Sequence, residues 1–126
     1  MRERLRDRGR LEDIVEYSNN VIQFVEGISF EEFLHDKLRY YAVMKNVEII
    51  GEAAYMLSKD FKEAHPDTSW TVVQGMRHIL VHDYANIRPY TLYDTAKNGI
   101  TPLRDQVVRY LNETDWEQWE QQEPTP

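Results

Sequence analysis

Residues 75–84 read GMRHILVHDY. Arg77, His78, His82 and Tyr84 are interleaved there with Met76, Ile79, Leu80 and Val81. The apolar residues recur at three- and four-residue steps, which predicts a helix over about 70–81, capped by Ser69 or Asp67. A helix that only had to pack would not need two imidazoles, a guanidinium and a phenol in this space. At about 100° per residue, Val72, Val73, Met76, Ile79 and Leu80 form a core face. Trp70, Arg77 and Tyr84 share a second face, and His78 and His82 share a third. Arg77 and His82 then point about 140° apart. They converge only where the helix ends or distorts near His82, or where a second copy of the chain brings its own motif alongside.

The same periodicity continues on both sides. Leu11, Ile14, Val15, Val21, Ile22 and Val25 predict an amphipathic helix over about 10–26, ended by Gly27. Ser29 and Glu32 form a capping box that opens a second helix at about 30, running to about 57. Its apolar residues (Phe33, Leu34, Leu38, Tyr41, Met44, Val47, Ile50, Ala54) cover more than one stripe, as in a helix that meets several neighbours or a second subunit. Pro66 breaks the stretch 58–69 and leaves a short helical piece at 59–64. Asn86 and Pro89 mark a loop. A last helical region over about 90–111 has Leu92, Ala96, Ile100, Leu103, Val107, Val108 and Leu111 inside, with Gly99 and Pro102 placed to kink or split it. No strand signal of useful length intervenes. The expected fold is all-α: one domain over 1–126, an up-and-down bundle of four or five helices that dimerises, with frayed ends at about 1–8 and 113–126.

The chain has 126 residues, 41% hydrophobic and 29% charged, as expected of an ordinary globular domain. It has no cysteine, which excludes disulfides, thiolate nucleophiles and cysteine zinc sites. No apolar run approaches the roughly 20 residues of a membrane span, and MRERLRDRGR lacks the apolar segment of a signal peptide. A cytoplasmic protein with no membrane partner is expected. The net charge of −7 argues against non-specific nucleic-acid binding by the whole surface. It leaves room for a local basic patch, and Arg2, Arg4, Arg6, Arg8 and Arg10 crowd the first ten positions.

Three chemistries fit GMRHILVHDY. It can be a packed helix with a polar rim. His78 and His82, four apart, can hold a metal ion if Asp83, His35 or His65 adds further ligands. Or it can be a nuclease site: histidine exchanges protons near neutral pH, and arginine holds phosphate bidentately. RNA carries its own nucleophile, the 2′-hydroxyl, so a histidine and a cation suffice for cleavage without metal.

Beyond these ten residues the chain resembles a known family. Arg77-His78-x3-His82-x-Tyr84 looks like the R-x4-H-x-Y signature of the HEPN superfamily, in its HepT-like branch. KNVEIIGEAA (45–54), HPDTSWTVVQGMRHILVHDY (65–84) and LYDTAKNGITPLRDQV (92–107) resemble that branch's conserved segments, in order. The likeness runs from Leu11 to about Leu111. Lys45 stands where the branch commonly has arginine, Ala85 where an aromatic is frequent, and Tyr93 where tryptophan is common.

The resemblance implies a small helical bundle whose homodimer brings two R-x4-H motifs into one cleft. It implies a metal-independent endoribonuclease without cofactor, the toxin of a type VII-like toxin–antitoxin pair. The implied partner is a minimal nucleotidyltransferase antitoxin of the MntA type that silences the toxin by AMP transfer to Tyr84. Arg77 and His82 are then the catalytic pair, on an RNA substrate. His78, Asp83, Lys45 and Asn46 are auxiliary or RNA-binding candidates, with Glu48 or Glu52 facing the same cleft. The alternative is a non-catalytic helical subunit that docks nucleic acid or substrate for a partner nucleotidyltransferase.

Overall fold

Gly27 takes a φ of 68°, a left-handed backbone that side chains resist, two residues past the end of α1 (Arg2–Val25). The computed structural model describes residues 2–78 and 88–121, all helix, turn or loop. The last turn of α1 has no cation of its own. Its terminal carbonyls are met from elsewhere. Arg39 Nη1 donates to Phe24 O at 2.6 Å and Lys97 Nζ to Val25 O at 2.9 Å, while Tyr93 Oη donates to Ile28 O at 2.6 Å. Tyr93 thus contributes a hydroxyl hydrogen bond at this joint.

The capping box forms as expected. Ser29 Oγ accepts from Glu32 N at 3.1 Å and Glu32 Oε1 accepts from Ser29 N at 3.1 Å. The single helix expected from about 30 to 57 is instead two, α2 (Phe30–His35) and α3 (Lys37–Tyr55). Asp36 makes the break. Its Oδ1 accepts from Arg39 N at 3.1 Å, so an aspartate caps a new helix where no Pro or Gly signals one.

The short piece at 59–64 is α4 (Lys59–Ala64). Within the stretch expected as one helix over 70–81, the described residues form α5 (Trp70–Gly75), a turn at Met76 and Arg77, and helical backbone again at His78. Downstream, α6 (Pro89–Asp94) passes through a π-helical turn, Thr95–Gly99, into α7 (Ile100–Glu113). Pro102 has no N–H to give to the carbonyl four residues back, and the widened turn lies just before it. The kink expected at Gly99 and Pro102 is thus a change of helix type rather than a break.

Helix α1 packs on α3 and α7, and these three build the core. Leu11, Ile14 and Val21 of α1, Val43, Val47 and Ile50 of α3, and Ile100 and Val107 of α7 are fully buried. The described residues near both ends pack onto the domain. Asp7 is fully buried, and its carboxylate accepts from Ser58 N at 2.8 Å, Ser58 Oγ at 2.6 Å and Trp119 Nε1 at 3.0 Å. Arg4 pairs with Asp60 at 2.8 Å and lies over the Trp119 ring. Trp119 belongs to α8 (Trp116–Gln121), and Trp116 is buried against Phe61. Two tryptophans in an acidic stretch were the signal for this helix. No helix among the described residues is long and apolar enough to cross a membrane.

Candidate active site

Helix α5 carries the motif toward α3. Trp70 and Val73 face the core, while Val72, expected there, is 68% exposed. The true inner face is therefore rotated from the expected one. Trp70 fixes it: Nε1 donates to His65 O at 2.9 Å and the ring packs near Phe61 and Tyr110. Arg77, seven residues on, inherits Trp70's side of the element. The helix tightens as it ends, with Met76 N donating to Val73 O and Arg77 N to Gln74 O.

The turn rests on Gly51. A Cβ at that position would meet the backbone nitrogen of Arg77 and lie 2.8 Å from the Met76 carbonyl carbon. Only a residue without a side chain lets the backbone of the turn approach α3 this closely. One turn further along α3, Tyr55 receives the Arg77 guanidinium over its ring, 3.6 Å from the centroid. Among the described residues, Arg77 Nε is buried with no hydrogen-bond partner, and Glu48 Oε2 is in the same condition one turn before Gly51. Buried charged groups without partners are costly and mark places where a ligand or another chain completes the bonding. Lys62 Nζ lies 5.9 Å from the Tyr55 ring centroid and donates to Tyr55 O and Gln74 Oε1. Burial pulls its pKa below the ordinary lysine value. Arg77 adds to that, and Asp7 and Glu3 oppose it.

The other candidates divide. His78 follows Arg77 and is half-buried. Lys45 is exposed and pairs with Glu48 at 3.1 Å, which ties it loosely to the Gly51 face. Asn46 is bound elsewhere. Its Nδ2 donates to Ala42 O at 2.7 Å and its Oδ1 accepts from Asn20 Nδ2 at 3.1 Å, joining α3 to α1. Five residues from Gly51, it points about 140° away from the Arg77 contact. His82, Asp83 and Tyr84 lie outside the described residues, as do Ile79 and Leu80. His65 is stacked on Phe61 at 4.0 Å between ring centroids, inside the aromatic cluster, and His35 is exposed at the end of α2. Among the described residues no three His, Asp or Glu side chains gather as a metal set. Sequence reasoning missed Gly51 as the seat of the turn and Tyr55 as its clamp. The signal was present: the only glycine in a long apolar helix, four residues before a tyrosine.

Residues 14–110 match the family model described as ribonuclease HepT-like. The chain belongs to the HepT-like ribonuclease family. A Methanocaldococcus jannaschii protein, named provisionally as an RNase, is 37% identical over 77% of this chain and 89% of its own length. A Thermococcus cleftensis protein, named provisionally as ribonuclease HepT, is 39% identical over 75% of this chain and 86% of its own. A third relative with a provisional RNase name, from Caldanaerobacter subterraneus subsp. tengcongensis, is 36% identical over 82% and 93%. No solved structure matches the chain. The HepT-like match spans α3, the turn and α5 together, so Gly51, Tyr55 and Arg77 all fall within the matched region.

Proposed function

We propose that this HepT-family ribonuclease is a metal-independent endoribonuclease whose site is organised around Arg77. The observation that carries this reading is Arg77 Nε, buried without a hydrogen-bond partner while Gly51 and Tyr55 hold the residue against α3. Arg77 binds the scissile phosphate and stabilises the charge that grows on it. His82 takes the 2′-hydroxyl proton as the oxygen attacks phosphorus. The 5′-oxygen leaves with a proton, giving a 2′,3′-cyclic phosphate end and a 5′-hydroxyl end. His78 and Lys45 assist in holding RNA, and Asp83 orients the histidine. The Asn46 amide, spent on Ala42 O of α3 and Asn20 of α1, supports a structural role for that residue.

The resemblance further supports a homodimer in which two such sites share a cleft. Exposed Val72, on α5 just before the turn that carries Arg77, supplies apolar surface for a second copy. In this reading the protein is the toxin of a toxin–antitoxin pair. A minimal nucleotidyltransferase transfers AMP from ATP to the Tyr84 hydroxyl, with pyrophosphate leaving. The added phosphate repels the RNA backbone and fills the cleft.

The test incubates purified protein with total RNA, with and without the nucleotidyltransferase and ATP, alongside His82→Ala. Cleavage by wild type, none by His82→Ala, and silencing only with partner and ATP, with an AMP mass increment on Tyr84, is the expected result. A wild type that never cuts RNA yet binds the nucleotidyltransferase returns the non-catalytic subunit reading.

A further inference from the structure

A second feature lies beside the turn. Glu3, Arg6, Arg10, Tyr55, Lys59 and Lys62 line a groove of roughly 490 Å³ between the start of α1 and the α3–α4 corner. Four cations and one carboxylate meet there, on a chain whose net charge is −7. The arginines of α1 divide by face. Arg4 is buried on Asp60, and Arg8 pairs with Glu12 on the exposed side. Arg6 and Arg10 face the groove and form no ion pair among the described residues. They lie four apart on α1 with Glu3 on the groove side, and their other flank borders Glu12 and Asp13. Among the described residues, Lys59 pairs with the exposed Glu63 at 3.8 Å.

The groove is continuous with the site. Tyr55 lines it and also carries Arg77 on its ring, and Lys62 links the Tyr55 carbonyl to Gln74 of α5. We infer that this groove binds the single-stranded RNA that flanks the scissile phosphate. Arg6, Arg10 and Lys62 hold its phosphates, and the exposed part of Tyr55 offers a surface for a base. The inference rests on the ribonuclease reading of Arg77 and adds the substrate track. It explains how an acidic protein takes a polyanion: four cations against one carboxylate make the groove locally basic although the net charge is −7.

The test measures binding of the full chain to a fluorescent single-stranded RNA of about 12 nucleotides over a salt series, with cleavage followed separately. Arg6→Gln combined with Arg10→Gln raises Kd roughly tenfold and lowers the slope of log K against log salt by about 1.4, near 0.7 per lost phosphate contact. Arg8→Gln, on the other face of α1, leaves both within twofold. An unchanged Kd and slope in the double variant overturns the inference. So does ATP binding as tightly as the oligonucleotide with the same dependence on both arginines, because that marks a mononucleotide pocket. Equal binding of poly-aspartate overturns it too, by marking a dock for acidic protein. RNA binding with the expected charge dependence but no cleavage supports the groove and rejects the ribonuclease reading. Cleavage with binding indifferent to Arg6 and Arg10 overturns the groove and leaves that reading intact.

Discussion

The Cβ that Gly51 lacks would collide with the backbone nitrogen of Arg77. A main-chain atom cannot swing aside as a flexible side chain does, so the turn has to move if Gly51 gains a methyl. Gly51→Ala is expected to cost about 1–3 kcal/mol in urea unfolding through overpacking. It should also lower RNA cleavage, because Arg77 moves with the turn. Gly75→Ala is the control: a Cβ there meets nothing within 4 Å, and stability should hold or rise. Equal behaviour of the two variants would remove Gly51 from its role.

Tyr55 positions Arg77 through its ring face. Tyr55→Leu keeps apolar bulk but loses the cation–π contact, worth about 0.5–1 kcal/mol at a partly exposed site. The expected fall in kcat/KM on RNA is about two- to fivefold, with the melting temperature lowered by only a few degrees. Tyr55→Phe retains the ring and should restore activity. A phenylalanine variant as weak as the leucine variant would assign the effect to the hydroxyl instead.

The buried carboxylate of Asp7 ties three elements together. Asp7→Ala strands the Ser58 amide, the Ser58 hydroxyl and the Trp119 indole N–H. Unsatisfied buried donors cost about 1–3 kcal/mol each, and a loss near 3 kcal/mol in all is expected. Tryptophan fluorescence during urea unfolding reads it directly, because Trp119 reports the release of α8.

Acid should weaken the α2–α3 joint. The Ser29 backbone N–H, then the Ser29 hydroxyl, hold the Glu32 carboxyl below its usual 4.5. The Arg39 backbone N–H, then its guanidinium, hold Asp36 below its usual 3.8. A carboxylate with a lowered folded pKa contributes stability that is full above its ordinary value and is lost as pH falls through the lowered one. Glu32→Gln should therefore be less stable than wild type at neutral pH. The gap should close as the solution becomes more acidic than the ordinary carboxylate range. A gap that stays constant with pH would show that the charge of Glu32 contributes nothing.

Much of this was legible in the sequence because it depends on local rules. Gly27, the Ser29–Glu32 box and the three-and-four spacing of α1 and α7 act over a few residues, and each appears in the structure. The long-range pieces were not legible. Asp36 splits a helix without Pro or Gly. Arg4 and Asp7 read as a solvated end because their partners, Asp60, Ser58 and Trp119, lie more than fifty residues away. The wheel for α5 failed at Val72 because it took the apolar residues alone as the inner face, whereas Trp70 and Val73 set that face and Val72 points outward. Arg77 was singled out from the motif alone. What holds it, Gly51 and Tyr55, depends on a crossing of two helices that no single window contains.

The most direct measurement is cleavage of single-stranded RNA in EDTA by wild type and Arg77→Ala, with melting curves run in parallel. With Arg77 as the phosphate-binding cation, wild type cuts in EDTA and the variant loses about hundredfold or more in kcat at nearly the same melting temperature. Full cleavage by a folded Arg77→Ala, or wild-type cleavage abolished by EDTA, would contradict the account.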